Sequence, residues 1–227
     1  MNFMHKTVVI TGFDPFGGEP VNPAFQAVSL LPDAVVYGQG QQADVIKAEI
    51  PTSFTRSKQA VTELENHYHP DLFISVGQAG GRSAITVERV AINLEDARIP
   101  DNDGEEPHDQ PVIQGDQTAY FSTLPDKNIV KSMNEQGIPA QLSYTAGTYV
   151  CNAVMYTLLA LRQDEKGPER KPPHISGFIH VPYSTEQGKG KPEGTPTMPV
   201  DTMAQGLQTA IAVCLESLSI VQSRPGN

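Results

Sequence analysis

Apolar, β-branched segments alternate along the chain with segments in which apolar residues recur every three or four positions. The first kind predicts strands, and such segments lie at 6–13, 43–50, 71–78, 83–94, 140–147 and 174–183. The second kind predicts helices at about 23–31, 53–68, 126–137, 151–162 and 200–218. Strands that alternate with helices indicate an α/β fold built on a layered sheet.

Residues at the predicted helix ends support these assignments. Asn22 stands directly before Pro23, which suits an N-cap followed by proline at the first helical position. Ser53 can cap the second helix in the same way, and Gly137 suits the end of the third.

Two segments have the composition of loops. Residues 96–116 are dense in Asp, Gly and Pro, and residues 162–173 mix charged residues with proline. Long loops in compact domains are often functional, so 96–116 is a candidate wall of an active site, whereas 162–173 suits a solvated insertion. No repeat and no Gly/Ser linker divides the sequence, and we therefore expect a single domain over residues 1–227.

The charge and hydropathy of the sequence argue against nucleic acid and membrane as binding partners. The 227 residues include 16 Lys and Arg against 26 Asp and Glu, and the net charge is −10. A nucleic-acid partner is not expected, because phosphate binding needs clustered cations. The sequence contains no apolar stretch long enough to span a bilayer, and its start turns polar too early for a signal peptide. We expect a cytoplasmic protein without membrane association.

The two cysteines, Cys151 and Cys214, are expected to be free thiols, because their spacing suits neither a disulfide framework nor a metal site. Cys151 falls at the start of a predicted helix, where unpaired N–H groups favour a thiolate, can lower its pKa and can bind an oxyanion. It is a candidate nucleophile, although a small core residue also suits the position. Cys214 lies on a regular apolar stripe and is expected to be core.

A cysteine nucleophile needs a base, which is usually histidine. Among the six histidines, His180 alone lies within a strongly apolar strand, where an unpaired polar group is costly. His180 is therefore the candidate base, and a hydrogen-bonded core histidine is the alternative. His67 and His69 lie two residues apart, but without a further ligand cluster nearby they make a weak candidate for a metal site.

The candidate third group is Glu88. Strand alternation places this carboxylate on a face that it shares with apolar residues. A carboxylate in a buried strand can orient a catalytic imidazole. An ion pair between Glu88 and a neighbouring arginine is the alternative.

Two glycine-rich turns follow predicted strands. TGFDPFGG follows the first strand and GQAGGR the third, but both lack the spacing and the lysine of a phosphate-binding loop. The first turn carries Phe13 and Phe16 at the end of its strand, where open α/β sheets bind ligands. These two rings are candidate pocket walls, or core residues beneath the loop.

Four blocks of the sequence together resemble the pyroglutamyl peptidase I family of cysteine peptidases. They are TGFDPFGGEPVNPA (11–24), VGQAGGRSAITVERVAINLEDARIPDN (76–102), TAGTYVCNAVMYTLL (145–159) and GFIHVPYS (177–184). The second and third blocks are long and specific. The resemblance implies a single-domain α/β/α sandwich with a mixed, mostly parallel twisted sheet, and a reaction that needs neither a cofactor nor a metal ion.

The resemblance also implies roles for individual residues. The family's site residues fall on catalytic Glu88, Cys151 and His180 and on substrate-binding Phe13, Phe16, Gln78 and Arg98. The sequence departs from the family pattern at Tyr144, where Asn is commoner, at Ala153, where many relatives have His, and in the longer segment 162–173.

The activity implied by the resemblance is removal of an N-terminal 5-oxoproline (pyroglutamate) from peptides, by a cytosolic homo-oligomer that is often a tetramer. Two other classes fit a similar sheet: a nucleoside phosphorylase or hydrolase, which needs a phosphate site, and a non-catalytic protein that binds a small lactam or a peptide end. Sensitivity to iodoacetamide together with hydrolysis of a pyroglutamyl amide separates the three.

Overall fold

The computed structural model describes residues 5–162 and 174–222, so the predicted insertion at 162–173 lies outside the described residues except for Arg162. The strands in these two ranges are β1 (Lys6–Phe13), β2 (Ala34–Tyr37), β3 (Gln41–Ile50), β4 (Leu72–Gln78), β5 (Ile85–Glu88), β6 (Val90–Ile92), β7 (Ala119–Phe121), β8 (Ala140–Ser143), β9 (Ile175–Val181), β10 (Tyr183–Ser184) and β11 (Thr197–Met198). The helices are α1 (Pro23–Ser29), α2 (Phe54–Tyr68), α3 (Asp126–Glu135), α4 (Val150–Leu161), α5 (Thr185–Gly188) and α6 (Val200–Gln222).

Seven strands form one mixed sheet in the order β2-β3-β1-β4-β9-β5-β8. The pairs β3-β1, β1-β4, β4-β9 and β5-β8 are parallel, whereas β2-β3 and β9-β5 are antiparallel. Two small pairs, β6-β7 and β10-β11, lie outside this sheet. The predicted α/β fold with a mostly parallel, mixed sheet is confirmed.

The sheet is covered by helices on both faces, which gives three layers. Alternate residues of β1 enter different cores: Val8 and Ile10 belong to the core that includes residues of α1, α3 and α6, whereas Val9 and Phe13 belong to the core that includes residues of α2 and α4. The central strands are therefore buried on both sides, and this explains why their sequences are apolar runs rather than alternating ones.

The predicted helix starts are confirmed by their caps. The side chain of Asn22 accepts a hydrogen bond from the backbone N–H of Ala24 at 3.0 Å, and Pro23 opens α1. Ser53 caps α2 by accepting from the backbone N–H of Arg56 at 3.1 Å.

The predicted strand 83–94 is wrong as a single element, because the chain changes partners at Arg89. β5 pairs with β8 and β9, but β6 leaves the main sheet and pairs with β7. The side chain of Arg89 forms an ion pair with Asp126 at 2.7 Å where the strand breaks. The predicted strand 140–147 also ends early, at Ser143.

Candidate active site

The site lies where β4 and β9 end side by side. In this parallel pair Gly77 is opposite His180, and on the other side of β9 the antiparallel strand β5 places Thr86 opposite His180. A cavity of about 720 Å³ opens here. The cavity is lined by the ends of β4 and β9, by Phe16 in the turn after β1 and by the turn after β4. Residues of the segments 96–99 and 145–151 complete the lining.

Glu88 and His180 form a buried pair. His180 Nδ1 lies 2.8 Å from Glu88 Oε1, and the exposed side-chain fractions are 4% and 0%. A carboxylate can only accept a hydrogen bond, so Nδ1 carries the proton and Nε2 of a neutral ring is left as an acceptor. The predicted partnership between the candidate base and the candidate carboxylate is present in the structure.

The alternative partner of Glu88 is present as well. Arg82 Nη1 lies 2.5 Å from the same Oε1 atom. One carboxylate oxygen of Glu88 therefore accepts hydrogen bonds from both the imidazole of His180 and the guanidinium of Arg82. Burial opposes ionisation of Glu88, but the hydrogen bonds and charge of His180, with further hydrogen bonds from Ser143 and Arg82, lower its pKa below the usual value.

Cys151 occupies the first turn of α4, whose N-cap Tyr149 makes no side-chain cap hydrogen bond. Its sulfur lies directly over Gly77, because a methyl group added at that glycine would be only 2.9 Å from Sγ. Gly77 and His180 are paired neighbours in the sheet, and paired residues point to the same face. The fold therefore brings the sulfur of Cys151 and the imidazole of His180 to one face at one cavity.

The pKa of Cys151 differs from the expectation that the start of α4 lowers it. Burial, assisted by the charge of Glu88, raises the pKa of Cys151 to about 12, although Arg82 and the backbone at Cys151 lower it. Burial also lowers the pKa of His180, against the opposing effect of Glu88. The predicted lowering of the thiol pKa is wrong in its net direction, because desolvation exceeds the effect of the helix start. Both shifts favour the neutral thiol and the neutral imidazole over the charged pair.

Cys214 lies in the apolar core of α6 and is fully buried, as predicted. Burial alone raises the pKa of this thiol. It has the environment of a core residue rather than that of a nucleophile.

The two phenylalanines predicted for the pocket have different positions. Phe16 lines the cavity beside the ring of Tyr149, with 6.5 Å between ring centroids. Phe13 is only 2% exposed and packs against Phe178, with 6.2 Å between ring centroids. Phe178 in turn contacts the ring of His180 at 4.8 Å. Phe13 therefore supports the site from beneath, which is the alternative drawn from the sequence.

Gln78 lines the cavity, but its side chain is held by another residue. Gln187 Nε2 donates to Gln78 Oε1 at 2.9 Å. Strand alternation places the side chain of Gln78 on the opposite face of β4 from Gly77 and Cys151. The polar groups that Gln78 can offer to a ligand on the face of Cys151 are therefore those of its backbone.

Arg98 is exposed and lies at the cavity rim with Asp96 and Ile99. All three belong to the segment 96–116, whose role as a wall of the site was expected. Within residues 5–162 and 174–222, no group of three or more His, Cys, Asp or Glu side chains could hold a metal ion. None of the helices in this described part combines the length and the apolar character that crossing a bilayer requires.

Two residues of the site are missed by sequence reasoning. Tyr149 lines the cavity, packs edge-on against Phe54 and donates from its hydroxyl to the backbone oxygen of Pro100 at 3.1 Å. Its position two residues before Cys151 is the available signal. Arg82 belongs to GQAGGR, a turn weighed in the sequence only as a phosphate site.

We predict that Gly77→Ala impairs catalysis more than folding. The new methyl group would lie 2.9 Å from Sγ of Cys151 and 2.9 Å from Cζ of Phe178, so the sulfur or the ring has to move. A misplacement of this size in a reacting group lowers kcat by about 10²-fold. The matched control is Gly190→Ala, where the nearest atom is 3.8 Å away. Equal kcat for the two variants would contradict the placement of Cys151.

Comparison with known proteins gives a consistent result. A sequence profile of pyroglutamyl peptidase matches residues 6–217. The pyrrolidone-carboxylate peptidase of Clostridium perfringens is 48% identical over 90% of this chain and 91% of its own length, and that of Thermococcus kodakarensis is 46% identical over 93% and 97%. The crystal structure of pyroglutamyl peptidase I from Bacillus amyloliquefaciens superimposes with a TM-score of 0.83 at 42% identity, covering 93% of this chain and 98% of that one. Pyrrolidone carboxyl peptidase from Thermococcus litoralis gives 0.86 at 37% identity, over 98% and 99%.

Proposed function

The chain belongs to the pyroglutamyl peptidase family of cysteine peptidases, which remove N-terminal pyroglutamate, and from this premise we propose that Glu88, Cys151 and His180 carry out the reaction. The observation that supports the proposal is the buried hydrogen bond between His180 Nδ1 and Glu88 Oε1 at one cavity with Cys151. That bond leaves His180 Nε2 as an acceptor on the face of the sulfur.

The first half of the reaction forms an acyl-enzyme. His180 Nε2 takes the proton from the thiol of Cys151 while the sulfur attacks the carbonyl carbon of the pyroglutamyl residue. The tetrahedral intermediate collapses, the C–N bond breaks, and the imidazolium gives its proton to the leaving amine. The products are a thioester on Cys151 and a peptide shortened by one residue.

The second half of the reaction releases the acyl group. Water enters the place of the amine, and His180 takes one of its protons while the oxygen attacks the thioester carbon. The C–S bond breaks, free 5-oxoproline leaves, and the proton returns from His180 to the sulfur. Glu88 stays ionised throughout, holds Nδ1–H and stabilises the imidazolium that forms in each half.

Negative charge on the carbonyl oxygen develops next to the first turn of α4. The backbone N–H groups of that turn carry the positive end of the helix dipole, and Tyr149 places no side-chain acceptor on them. The N–H groups of Asn152 and Ala153 already donate to the backbone oxygen of Tyr149 at 3.0 and 3.3 Å, so we propose the N–H of Cys151 as the oxyanion site. Arg98 at the cavity rim is proposed to add positive charge on the same side.

The pocket suits a flat, neutral lactam. Phe16 and Tyr149 offer apolar faces, and the backbone of Gln78 provides one donor and one acceptor at the end of β4. The lactam ring needs one acceptor for its N–H and one donor for its carbonyl. An N-terminal proline lacks that carbonyl, which leaves a pocket donor unpaired at a cost of about 1–3 kcal/mol. An N-terminal glutamine brings a charged ammonium group to apolar walls.

The test of this function is hydrolysis of a pyroglutamyl chromogenic amide before and after treatment with iodoacetamide. We expect turnover that alkylation removes, together with little or no turnover of the matched prolyl and glutaminyl amides. Turnover that survives complete alkylation of Cys151 would contradict a cysteine mechanism. Binding of the lactam without release of product would favour a non-catalytic binding protein.

The pH dependence follows from the environment of His180. Burial lowers the pKa of this imidazole below its usual 6.5, and protonation removes the acceptor that Cys151 needs. We expect kcat/KM to fall only as the pH drops below about 6.5 and to be level above about 7. Activity that is lost by titration of His180 returns when the sample is brought back to neutral pH, and this control separates titration from irreversible acid unfolding. A midpoint well above 7 would contradict the lowered pKa of His180.

The remaining proposals concern the whole protein. We propose that residues 1–227 form a single catalytic domain, which the family match over residues 6–217 supports. A cytoplasmic location is proposed because a catalytic thiol stays reduced there. A homo-oligomer, with four copies as the first expectation, is proposed from the family resemblance, and light scattering after size-exclusion chromatography tests it. Membrane and nucleic acid are not proposed as partners.

A further inference from the structure

Arg82 connects the segments that carry the proposed catalytic residues. It follows the turn after β4, and its guanidinium donates to Glu88 Oε1 at 2.5 Å and to the hydroxyl of Thr86 on the same strand face. A third contact reaches the backbone oxygen of Thr145 at 3.4 Å, in the segment that leads into Cys151. One side chain thus joins the turn after β4, the strand β5 and the approach to α4.

The contact between Arg82 and Glu88 is more than an ordinary surface ion pair. Glu88 is fully buried, and its Oε1 receives Arg82 and His180 at the same time. The side chain of Arg82 is 29% exposed and lines the cavity, so it contacts both Glu88 and the space that a substrate would occupy. A planar guanidinium with several fixed donors can bind Glu88, Thr86 and Thr145 together, whereas the ammonium of lysine is a single point charge.

We propose that Arg82 is a positioning residue for this reaction, which holds Glu88 ionised and in place and keeps His180 free to accept the proton of Cys151. The inference rests on the proposed function of the triad.

The charge of Arg82 acts on each group of the triad in a direction that suits this role. It lowers the pKa of Cys151 and of His180, and its hydrogen bond contributes to lowering that of Glu88. The charged groups that act on the imidazole are Glu88 on β5 and Arg82 before it, and Cys151 on α4 lines the same cavity. Without Arg82, His180 is protonated at a higher pH and the thiol of Cys151 ionises less readily.

The experiment compares wild type with Arg82→Gln, Arg82→Lys and Arg89→Gln. Arg89 is the matched control, because it is the next arginine along the chain, has the same exposed fraction of 29% and is paired with Asp126 instead of Glu88. Two quantities are measured: the pH profile of kcat/KM for a pyroglutamyl chromogenic amide, and the rate at which iodoacetamide alkylates Cys151 in the free enzyme.

For Arg82→Gln we expect the acid limb of kcat/KM to move up by about one pH unit and alkylation at neutral pH to slow about tenfold. For Arg82→Lys we expect the acid limb of the pH profile and the alkylation rate to stay close to wild type, because the positive charge remains. We expect kcat/KM to fall about tenfold, because the ammonium of lysine cannot make all the hydrogen bonds of the guanidinium. Arg89→Gln leaves both quantities unchanged. A purely structural role would lower kcat/KM without moving the limb or the alkylation rate.

Several results would overturn the inference. They are an unmoved limb and alkylation rate in folded Arg82→Gln, the same shifts in Arg89→Gln, or full kcat/KM in Arg82→Lys. The lysine variant decides the question if Arg82→Gln does not fold. Alkylation needs no turnover, so it reports on Arg82 even if the proposed triad fails. Failure of the triad has a separate signature, namely turnover that persists in Cys151→Ala.

Discussion

Cys151→Ala abolishes hydrolysis of a pyroglutamyl amide, with an expected loss in kcat of at least about 10⁴-fold. The variant removes the atom that forms the thioester, and neither His180 nor the start of α4 can replace it. Folding should be little affected, because Cys151 lies in the first turn of α4 and alanine favours helix. The measurement is kcat at neutral pH, with circular dichroism to verify the fold.

The matched control for this variant is Cys214→Ala. Cys214 is fully buried in the apolar core of α6, so its loss costs stability but leaves the cavity untouched. We expect a lower midpoint of thermal unfolding and nearly full kcat. Equal losses of kcat in the two cysteine variants would contradict the assignment of the nucleophile.

Glu88→Gln lowers kcat by up to about 10⁴-fold, which is less than the loss in Cys151→Ala. A neutral amide can still accept from His180 Nδ1, but it cannot stabilise the imidazolium or balance the charge of Arg82. The value of KM should change little, because Glu88 lies behind the imidazole and not against the substrate. Separate measurement of kcat and KM tests this.

Glu65→Gln serves as the control for the second prediction. Glu65 is also a buried carboxylate bound to an arginine, since Arg162 Nη2 lies 2.7 Å from its Oε2. It lies in α2, away from the cavity, so its replacement should reduce stability without reducing kcat. A Glu88→Gln variant as inactive as Cys151→Ala would mean that Glu88 does more than orient and stabilise His180.

Helix ends and central strands can be predicted from this sequence because their causes are local. Asn22 and Ser53 cap helices with their own side chains, and the apolar run 71–78 has to be a buried strand. The candidate nucleophile and base are identifiable for the same reason. Cys151 stands at a helix start, and His180 is a polar residue in an apolar strand, so each is conspicuous in its own segment.

Features that depend on distant parts of the chain escape sequence reasoning. The break of the predicted strand at Arg89 follows from the pairing of β6 with β7 and from the ion pair of Arg89 with Asp126. The side chain of Gln78 is held by a hydrogen bond from Gln187. The thiol pKa is a further case, because the helix start is visible in the sequence but the extent of burial at Cys151 is not. Desolvation is set by the packing of whole elements.

The role of Cys151 as the nucleophile is tested most directly by locating the residue that a pyroglutamyl chloromethyl ketone modifies. This reagent carries the lactam to the pocket and alkylates the nucleophile beside it, and peptide mass spectrometry identifies the modified side chain. We expect one label per chain, on Cys151, which forms in step with the loss of activity and forms more slowly in an excess of 2-pyrrolidone. Inactivation with the label on another residue, or a label on Cys151 that leaves turnover intact, would contradict it.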